Sequence, residues 1–177
     1  MSHSYLISGN NPSAIASVAM ASPVGQLWLT ASELGLCSLR PLAPTESMLD
    51  KQGRVTLADE SIHAANAILS RAQQQLEEYF AQTRQQFTVP LAPTGTVFQQ
   101  FVWQQLLEVP FGATASYGEL AQRIGNPKAA RAVGAANGAN RIAIIIPCHR
   151  VIGKQGALTG YAWGLTMKQQ LIDIEQH

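Results

Sequence analysis

Residues 116–137 read SYGELAQRIGNPKAARAVGAAN. Ser116 followed three residues later by Glu119 is a capping box. It opens a short helix, YGELAQRI, which Gly125 stops. Asn126 is placed to cap a second helix and Pro127 suits its first turn. That helix, PKAARAVGAAN, is expected to end near Gly138. Two short helices joined by a tight Gly-Asn-Pro turn form a helix-turn-helix candidate. The second helix is slim: Ala129, Ala130, Ala132, Ala135 and Ala136 dominate it, and only Lys128 and Arg131 are charged. At helical spacing Lys128, Arg131 and Ala135 share one face, while Ala130, Val133, Gly134 and Asn137 share another. One reading is a close-packed helix in a small-residue interface. The sharper reading is a helix fitted to a minor groove only about 6 Å wide, with one long cation to push into a base stack.

Downstream, residues 144–153 read IIIPCHRVIG. The apolar run Arg141–Ile146 is expected to be a buried strand that ends at Pro147. A thiol, an imidazole and a guanidinium then follow in a row. A lone cysteine after isoleucines is usually core. A structural thiol gains nothing from an adjacent His and Arg, whereas a nucleophile gains a lowered pKa and more thiolate. In an extended strand side chains 148 and 149 point to opposite faces. Pairing of Cys148 with His149 therefore calls for a bend at Pro147 or a bridging water, and the imidazole needs an orienting acceptor.

Residues 14–40 suggest short strands with turns at Pro23-Val24-Gly25 and Glu33-Leu34-Gly35. Residues 41–58, with Pro41, Pro44 and Gly53, suggest a loop. Ile62, Ala65, Leu69, Ala72, Leu76 and Tyr79 recur at helical spacing and predict a helix over 60–82. The segment FTVPLAPTGT, 87–96, suggests a linker and a domain boundary. Thr96 with Gln99 is a second capping box, and Phe98, Phe101, Val102, Leu106 and Val109 mark the apolar face of the helix it opens, broken by Gln105. A last helix is expected over about 165–175. The fold class is α+β: a small α/β domain over 1–90 and a mostly helical domain over 93–177 that carries the helix-turn-helix and Cys148.

The 177 residues are 46% hydrophobic and 13% charged, which permits a sizeable core. Residues 1–92 hold 5 Lys/Arg and 7 Asp/Glu, a net of −2; residues 93–177 hold 7 and 4, a net of +3. The mild basic lean of the second half permits nucleic acid as a partner. The start of the chain lacks a signal-peptide pattern and no stretch reaches a membrane span, so a cytoplasmic protein with reduced Cys37 and Cys148 is expected, with no membrane association. His3, His63, His149 and His177 show no metal-ligand spacing with the cysteines, so no metal is expected. Nothing indicates an oligomer, and a monomer is expected.

PCHRVIG, preceded by AARAVGAANGAN, resembles the active-site region of the O6-alkylguanine-DNA alkyltransferases. The likeness runs from about Thr96 to Glu175 and takes in SYGELA, NPKAARAVG, IPCHRV, TGY and a late KxxL…E. The first half resembles the family's N-terminal domain only in length and in its strands-then-helix order, which implies a ribonuclease-H-like topology. The resemblance implies that Cys148 accepts the alkyl group as a thioether, that His149 acts as base through a water, and that Glu175 orients His149. It places Tyr117 beside an extruded base, able to donate a proton as guanine leaves. Arg131 takes the place of the flipped nucleotide, with Lys128, Ala130 and Ala135 along the DNA. Asn140 is the hinge residue between recognition helix and strand; Val151, Tyr161, Trp163 and Lys168 line or support the pocket. The implied partner is double-stranded DNA carrying O6-alkylguanine, or O4-alkylthymine, bound in the minor groove. The chemistry fits. A thiolate displaces guanine from the alkyl carbon, an acid near the base assists the leaving group, and the nucleotide must be flipped out at a cost of a few kcal/mol. A thioether is not hydrolysed, so the protein reacts once and needs no cofactor.

The chain departs from the family at Val97, where relatives often have proline, and at Trp163, where many have a small residue. An indole there is expected to narrow the pocket against bulky groups such as benzyl. The zinc ligands of some relatives are not evident. Three rival readings stand beside repair. A lesion sensor of the same family would lack the active cysteine. A cysteine hydrolase would need an oxyanion site. A conventional transcription factor would need more base-reading side chains than Lys128 and Arg131.

Overall fold

The computed structural model describes residues 13–42 and 59–176. Most of the expected 41–58 loop, with Pro44 and Gly53, lies outside the described residues. Three strands, β1 (Ala16–Met20), β2 (Leu27–Ala31) and β3 (Leu36–Pro41), form an antiparallel meander in the order β1-β2-β3. The turns fall where Gly25 and Gly35 stand, and Gly25 takes φ 105, a left-handed conformation suited to glycine. Helix α1 (Asp59–Phe80) crosses all three strands. Its Ala65, Leu69, Ala72, Leu76 and Tyr79 are buried, as their spacing predicts.

The segment 87–96 is a packed strap rather than a free linker. Phe87, Val89, Leu91 and Ala92 are buried. Leu36 donates to the Pro90 carbonyl at 2.8 Å and Ala92 donates to the Leu36 carbonyl at 2.8 Å. The approach is so close that a Cβ at Gly35 would lie 2.8 Å from the Pro90 oxygen. Further along the same strand, Leu39 donates to Arg141 O (2.9 Å) and accepts from Ala143 N (2.8 Å). The edge of β3 is thus covered by chain from the second half, which satisfies backbone groups that would otherwise face outward.

The second half contains α2 (Val97–Leu107), β4 (Ala115–Ser116), α3 (Tyr117–Arg123), α4 (Ala130–Gly138), β5 (Val151–Ile152) and α5 (Leu165–Gln176). Both capping boxes form, Thr96 with Gln99 and Ser116 with Glu119. Strands β4 and β5 pair in parallel through Ala115–Val151 and Ser116–Ile152.

Three expectations are corrected. The apolar face of α2 is rotated: Val102, Trp103 and Leu106 are buried, while Phe98 and Phe101 are 40% and 43% exposed. The cause is Trp103, whose indole N–H donates to Ala136 O at 2.8 Å and draws its side of α2 against α4. Asn126 makes no side-chain cap; a 3-10 turn, Pro127–Ala129, leads into α4 instead. The run expected as a strand over Arg141–Ile146 is not one: Arg141 is exposed, and Ile142–Ile146 is buried without pairing as a strand. It touches β3 in a single bridge at Ile142 and then turns, with Ile144 at φ 68. The Asn140 side chain takes over the local backbone groups, accepting from Ile142 N (3.0 Å) and donating to Ile142 O (3.2 Å) and Ile146 O (2.9 Å). A side chain that binds nearby backbone competes with a ladder.

Because Trp103 is fully buried and joins α2 to α4, Trp103→Ala is expected to lower unfolding stability by about 3–5 kcal/mol. Urea denaturation followed by circular dichroism measures this.

Candidate active site

After Pro147 the chain bends into a 3-10 turn, Cys148–Arg150, one of the two arrangements the sequence left open there. All three side chains point into protein. Cys148 is 1% exposed, and its sulfur accepts a hydrogen bond from Asn140 Nδ2 at 3.0 Å. The Asn137 amide adds a contact of 3.4 Å to the Cys148 carbonyl. The Tyr161 hydroxyl is buried beside the sulfur without a hydrogen bond of ordinary geometry.

The expectation of a lowered thiol pKa is overturned for the resting protein. Burial pushes the Cys148 thiol up to about 11, against the lowering effects of the Asn140 amide and the Lys168 charge. Desolvation outweighs its neighbours here because the sulfur has almost no contact with water. The resting thiol is therefore protonated at neutral pH.

A base stands next to it in the chain. His149 is fully buried, and burial holds its pKa below the usual value despite the carboxylate of Glu175. Its Nε2 lies 2.7 Å from Glu175 Oε1, while Nδ1 has no partner among the described residues. A carboxylate can only accept, so Nε2 carries the proton and Nδ1 keeps the lone pair. The neutral imidazole is thus set as a proton acceptor at Nδ1.

Glu175, on α5, is the centre of the cluster. Oε1 accepts from His149, from Tyr79 OH at 2.8 Å and from Arg150 Nη2 at 3.0 Å. Oε2 accepts from Arg150 Nε at 2.8 Å and Gly112 N at 3.3 Å. Burial alone would raise its pKa, but His149 and Arg150 more than offset it and the carboxyl falls to about 2. Arg150 also donates to Val109 O at 2.6 Å and lies 5.9 Å from the Phe111 ring centre. It is a planar clamp on the carboxylate, a use for which guanidinium is better suited than ammonium.

The remaining predicted residues fall into two groups. Val151, Tyr161, Trp163 and Lys168 gather round the loop after β5. Lys168 is buried and its Nζ donates to Val151 O (2.5 Å) and Thr159 O (2.7 Å), which ties that loop to α5. Tyr161 and Trp163 stack edge to face at 5.3 Å. The Tyr117 hydroxyl reaches across to the carbonyls of Thr159 and Gly160, each at 3.3 Å, and burial raises its pKa. Gly134 lies against the Tyr117 ring, where a Cβ would sit in ordinary contact at 3.6 Å. Lys128, Arg131 and Ala135 form the second group, exposed together on the outer side of the α3–α4 pair, with Ala130 half-buried beside them. Val133, Ala136 and Asn137 face the core.

Sequence reasoning missed Tyr79, and it read Arg150 only as a positive neighbour of the thiol, not as the clamp on Glu175. Tyr79 reads as a core position of α1; the only sign of more was that a buried phenol needs a partner. Among the described residues no group of His, Cys, Asp and Glu could hold a metal, and no helix is long and apolar enough to cross a membrane.

The buried Cys148 thiol, an amide clamp and a histidine–carboxylate pair under a two-helix basic face define a protein that would use a cysteine nucleophile beside a nucleic-acid-binding surface. The chain belongs to the 6-O-methylguanine DNA methyltransferase family: residues 97–177 match its DNA binding domain and residues 17–93 its ribonuclease-like domain. It is 46% identical over 154 residues to a methylated-DNA–protein-cysteine methyltransferase of Methanosarcina acetivorans, covering 87% of this chain and 94% of that one. A constitutive methyltransferase of the same name from Bacillus subtilis is 51% identical over 115 residues, covering 64% and 70%. Among solved structures, Mycobacterium tuberculosis OGT in complex with DNA superposes with a TM-score of 0.75 at 44% identity, covering 90% of this chain and 92% of that one. The α+β architecture of a small sheet domain and a helical domain is shared with it.

With a thiol pKa raised to about 11, only the thiolate fraction reacts with a small electrophile, and that fraction grows as pH rises toward the pKa. Alkylation of Cys148 by iodoacetamide without DNA is expected to be slow at neutral pH and to rise about tenfold per pH unit up to about pH 10. Timed mass spectrometry of the Cys148 peptide reads the rate.

Proposed function

We propose that this protein repairs DNA by transferring an alkyl group from O6-alkylguanine, and from O4-alkylthymine, to Cys148 in one irreversible step. It is a methylated-DNA–[protein]-cysteine S-methyltransferase that is spent in the reaction and needs no cofactor. One observation carries the reading: the Cys148 sulfur is held by Asn140 beside His149, whose tautomer Glu175 fixes so that Nδ1 is free to accept a proton.

The steps follow from that arrangement. The exposed face of Lys128, Arg131 and Ala135, with Ala130, enters the minor groove; its alanines fit the narrow groove and Arg131 fills the gap left by the flipped nucleotide. The flipped base displaces the packing over Cys148 and meets Tyr117, Tyr161, Trp163 and Val151. The thiol proton passes to His149 Nδ1 through a water, which avoids a standing thiolate in a buried site. The sulfur then attacks the alkyl carbon, the carbon–O6 bond breaks, and a proton reaches guanine as it leaves. Tyr117 serves as that donor once its hydroxyl turns from the Thr159 and Gly160 carbonyls to the base. Asn140 steadies the sulfur as charge grows on it, and Lys168 holds the loop. The protein acts as a monomer in the cytoplasm; neither cysteine is in a disulfide, which suits a reducing compartment. The domains divide at 1–90 and 93–177.

Mixing the protein with duplex DNA carrying O6-methylguanine should add one methyl group at Cys148, seen by intact mass and peptide mapping, with activity lost in proportion. Binding without transfer is the result expected of a lesion sensor and would overturn this reading; Cys148→Ala should bind and not react.

Trp163 stacks on Tyr161 at the pocket and is expected to exclude bulky groups. Trp163→Gly should speed reaction with O6-benzylguanine by roughly tenfold or more, the range set by relieving a steric block of about 1–3 kcal/mol. An unchanged rate would mean the indole only packs.

A further inference from the structure

The donor on Glu175 that lies farthest away in sequence is Tyr79, 96 residues earlier, on α1 beneath the N-terminal sheet. Its hydroxyl is buried and shares Oε1 with His149 Nε2. Neighbouring rings fix its direction, with Phe80, Phe87 and Phe111 at centroid distances of 5.2, 5.6 and 6.0 Å. Gln82, just past the end of α1, donates to Ile174 O at 3.0 Å and pins the same junction. We propose that Tyr79 is a positioning residue for alkyl transfer: by donating to Glu175 Oε1 it limits how much negative charge His149 receives, and so keeps His149 neutral and oriented as the acceptor of the Cys148 proton. This deepens the reading of Cys148 as alkyl acceptor and rests on it.

The argument is electrostatic. A carboxylate oxygen that gives its full charge to an imidazole N–H favours the imidazolium, because opposite charge stabilises the protonated form. A second and a third donor on that oxygen weaken the effect. An imidazolium at position 149 cannot accept the thiol proton. The charged and titratable groups round the cluster come from every element packed on it: Arg150 and Cys148 from the 3-10 turn, Lys168 and Glu175 from α5, Tyr161 from the loop after β5 and Tyr79 from α1. Arg150 and Lys168 also oppose imidazolium formation, but Tyr79 is the member supplied by the N-terminal domain. The ribonuclease-like half would then act on the chemistry directly, through one phenol, besides supporting the fold. The Tyr79 phenol itself stays protonated, since burial and the Glu175 charge both raise its pKa, so it acts as a donor throughout.

The test uses the full chain with Tyr79→Phe, which keeps the ring and removes the hydroxyl. Two readouts are taken: the pH profile of single-turnover methyl transfer from O6-methylguanine duplex, and the titration of the His149 ring nitrogens by NMR without DNA. The expected result is an upward move of the His149 titration and of the acid limb of the rate profile by about half a pH unit or more, with a several-fold slower rate near neutrality. A ring-fluorinated tyrosine at position 79, a stronger donor, should move both downward. If Tyr79→Phe fails to fold, the fluorinated protein alone decides. Lower thermal stability with both titrations unmoved would overturn the proposal, leaving Tyr79 a packing residue. Failure of the wild-type protein to take up methyl would instead sink the alkyl-acceptor reading, and the NMR titration would still report on Tyr79.

Discussion

The carboxylate of Glu175 is the constraint round which the second half is arranged. It is buried and ionised, a state that is costly unless every oxygen lone pair finds a donor. Here donors arrive from α1, from the loop before β4 and from the turn at Cys148–Arg150. Satisfying one charge therefore fixes the positions of three separate segments at once. It also selects the His149 tautomer and leaves the Nδ1 lone pair without a partner among the described residues.

The same economy of buried groups explains the turn after Pro147. An apolar run such as Ile142–Ile146 would pair readily as a strand, yet Asn140 occupies backbone groups of Ile142 and Ile146 and leaves only the Ile142 bridge to β3. The result is a compact knot in which one amide holds Ile142, Ile146 and the Cys148 sulfur together. Asn140 lies just beyond α4, so movement of the two-helix unit is mechanically joined to the sulfur. The helix that exposes Arg131 and the Cys148 sulfur are thereby connected through one side chain.

Burial of Cys148 has a chemical consequence. A thiolate held ready in contact with water would react with any electrophile. A thiol kept protonated by desolvation, with its base alongside, reacts only when a substrate enters and the proton has somewhere to go. Selectivity in such a site comes from access and proton transfer together.

Much was legible in the chain itself. The capping boxes at Thr96 and Ser116, the buried face of α1, the turns at Gly25 and Gly35 and the Cys148-His149-Arg150 row are all written in residues within a few positions of one another, where hydrogen bonds and helical spacing act locally. The exposed grouping of Lys128, Arg131 and Ala135 follows from the same periodicity. Other features had no local signal. Apolar composition predicted that Arg141–Ile146 would be buried but not that it would turn, because burial and pairing draw on different groups. The rotation of α2 depends on where Trp103 finds an acceptor on α4. The raised pKa of Cys148, the clamp by Arg150 and the hydroxyl of Tyr79 on Glu175 exist only once distant segments exclude water from a common point. Local sequence sets which groups are available; the tertiary structure alone decides which of them lose their water and must therefore satisfy one another.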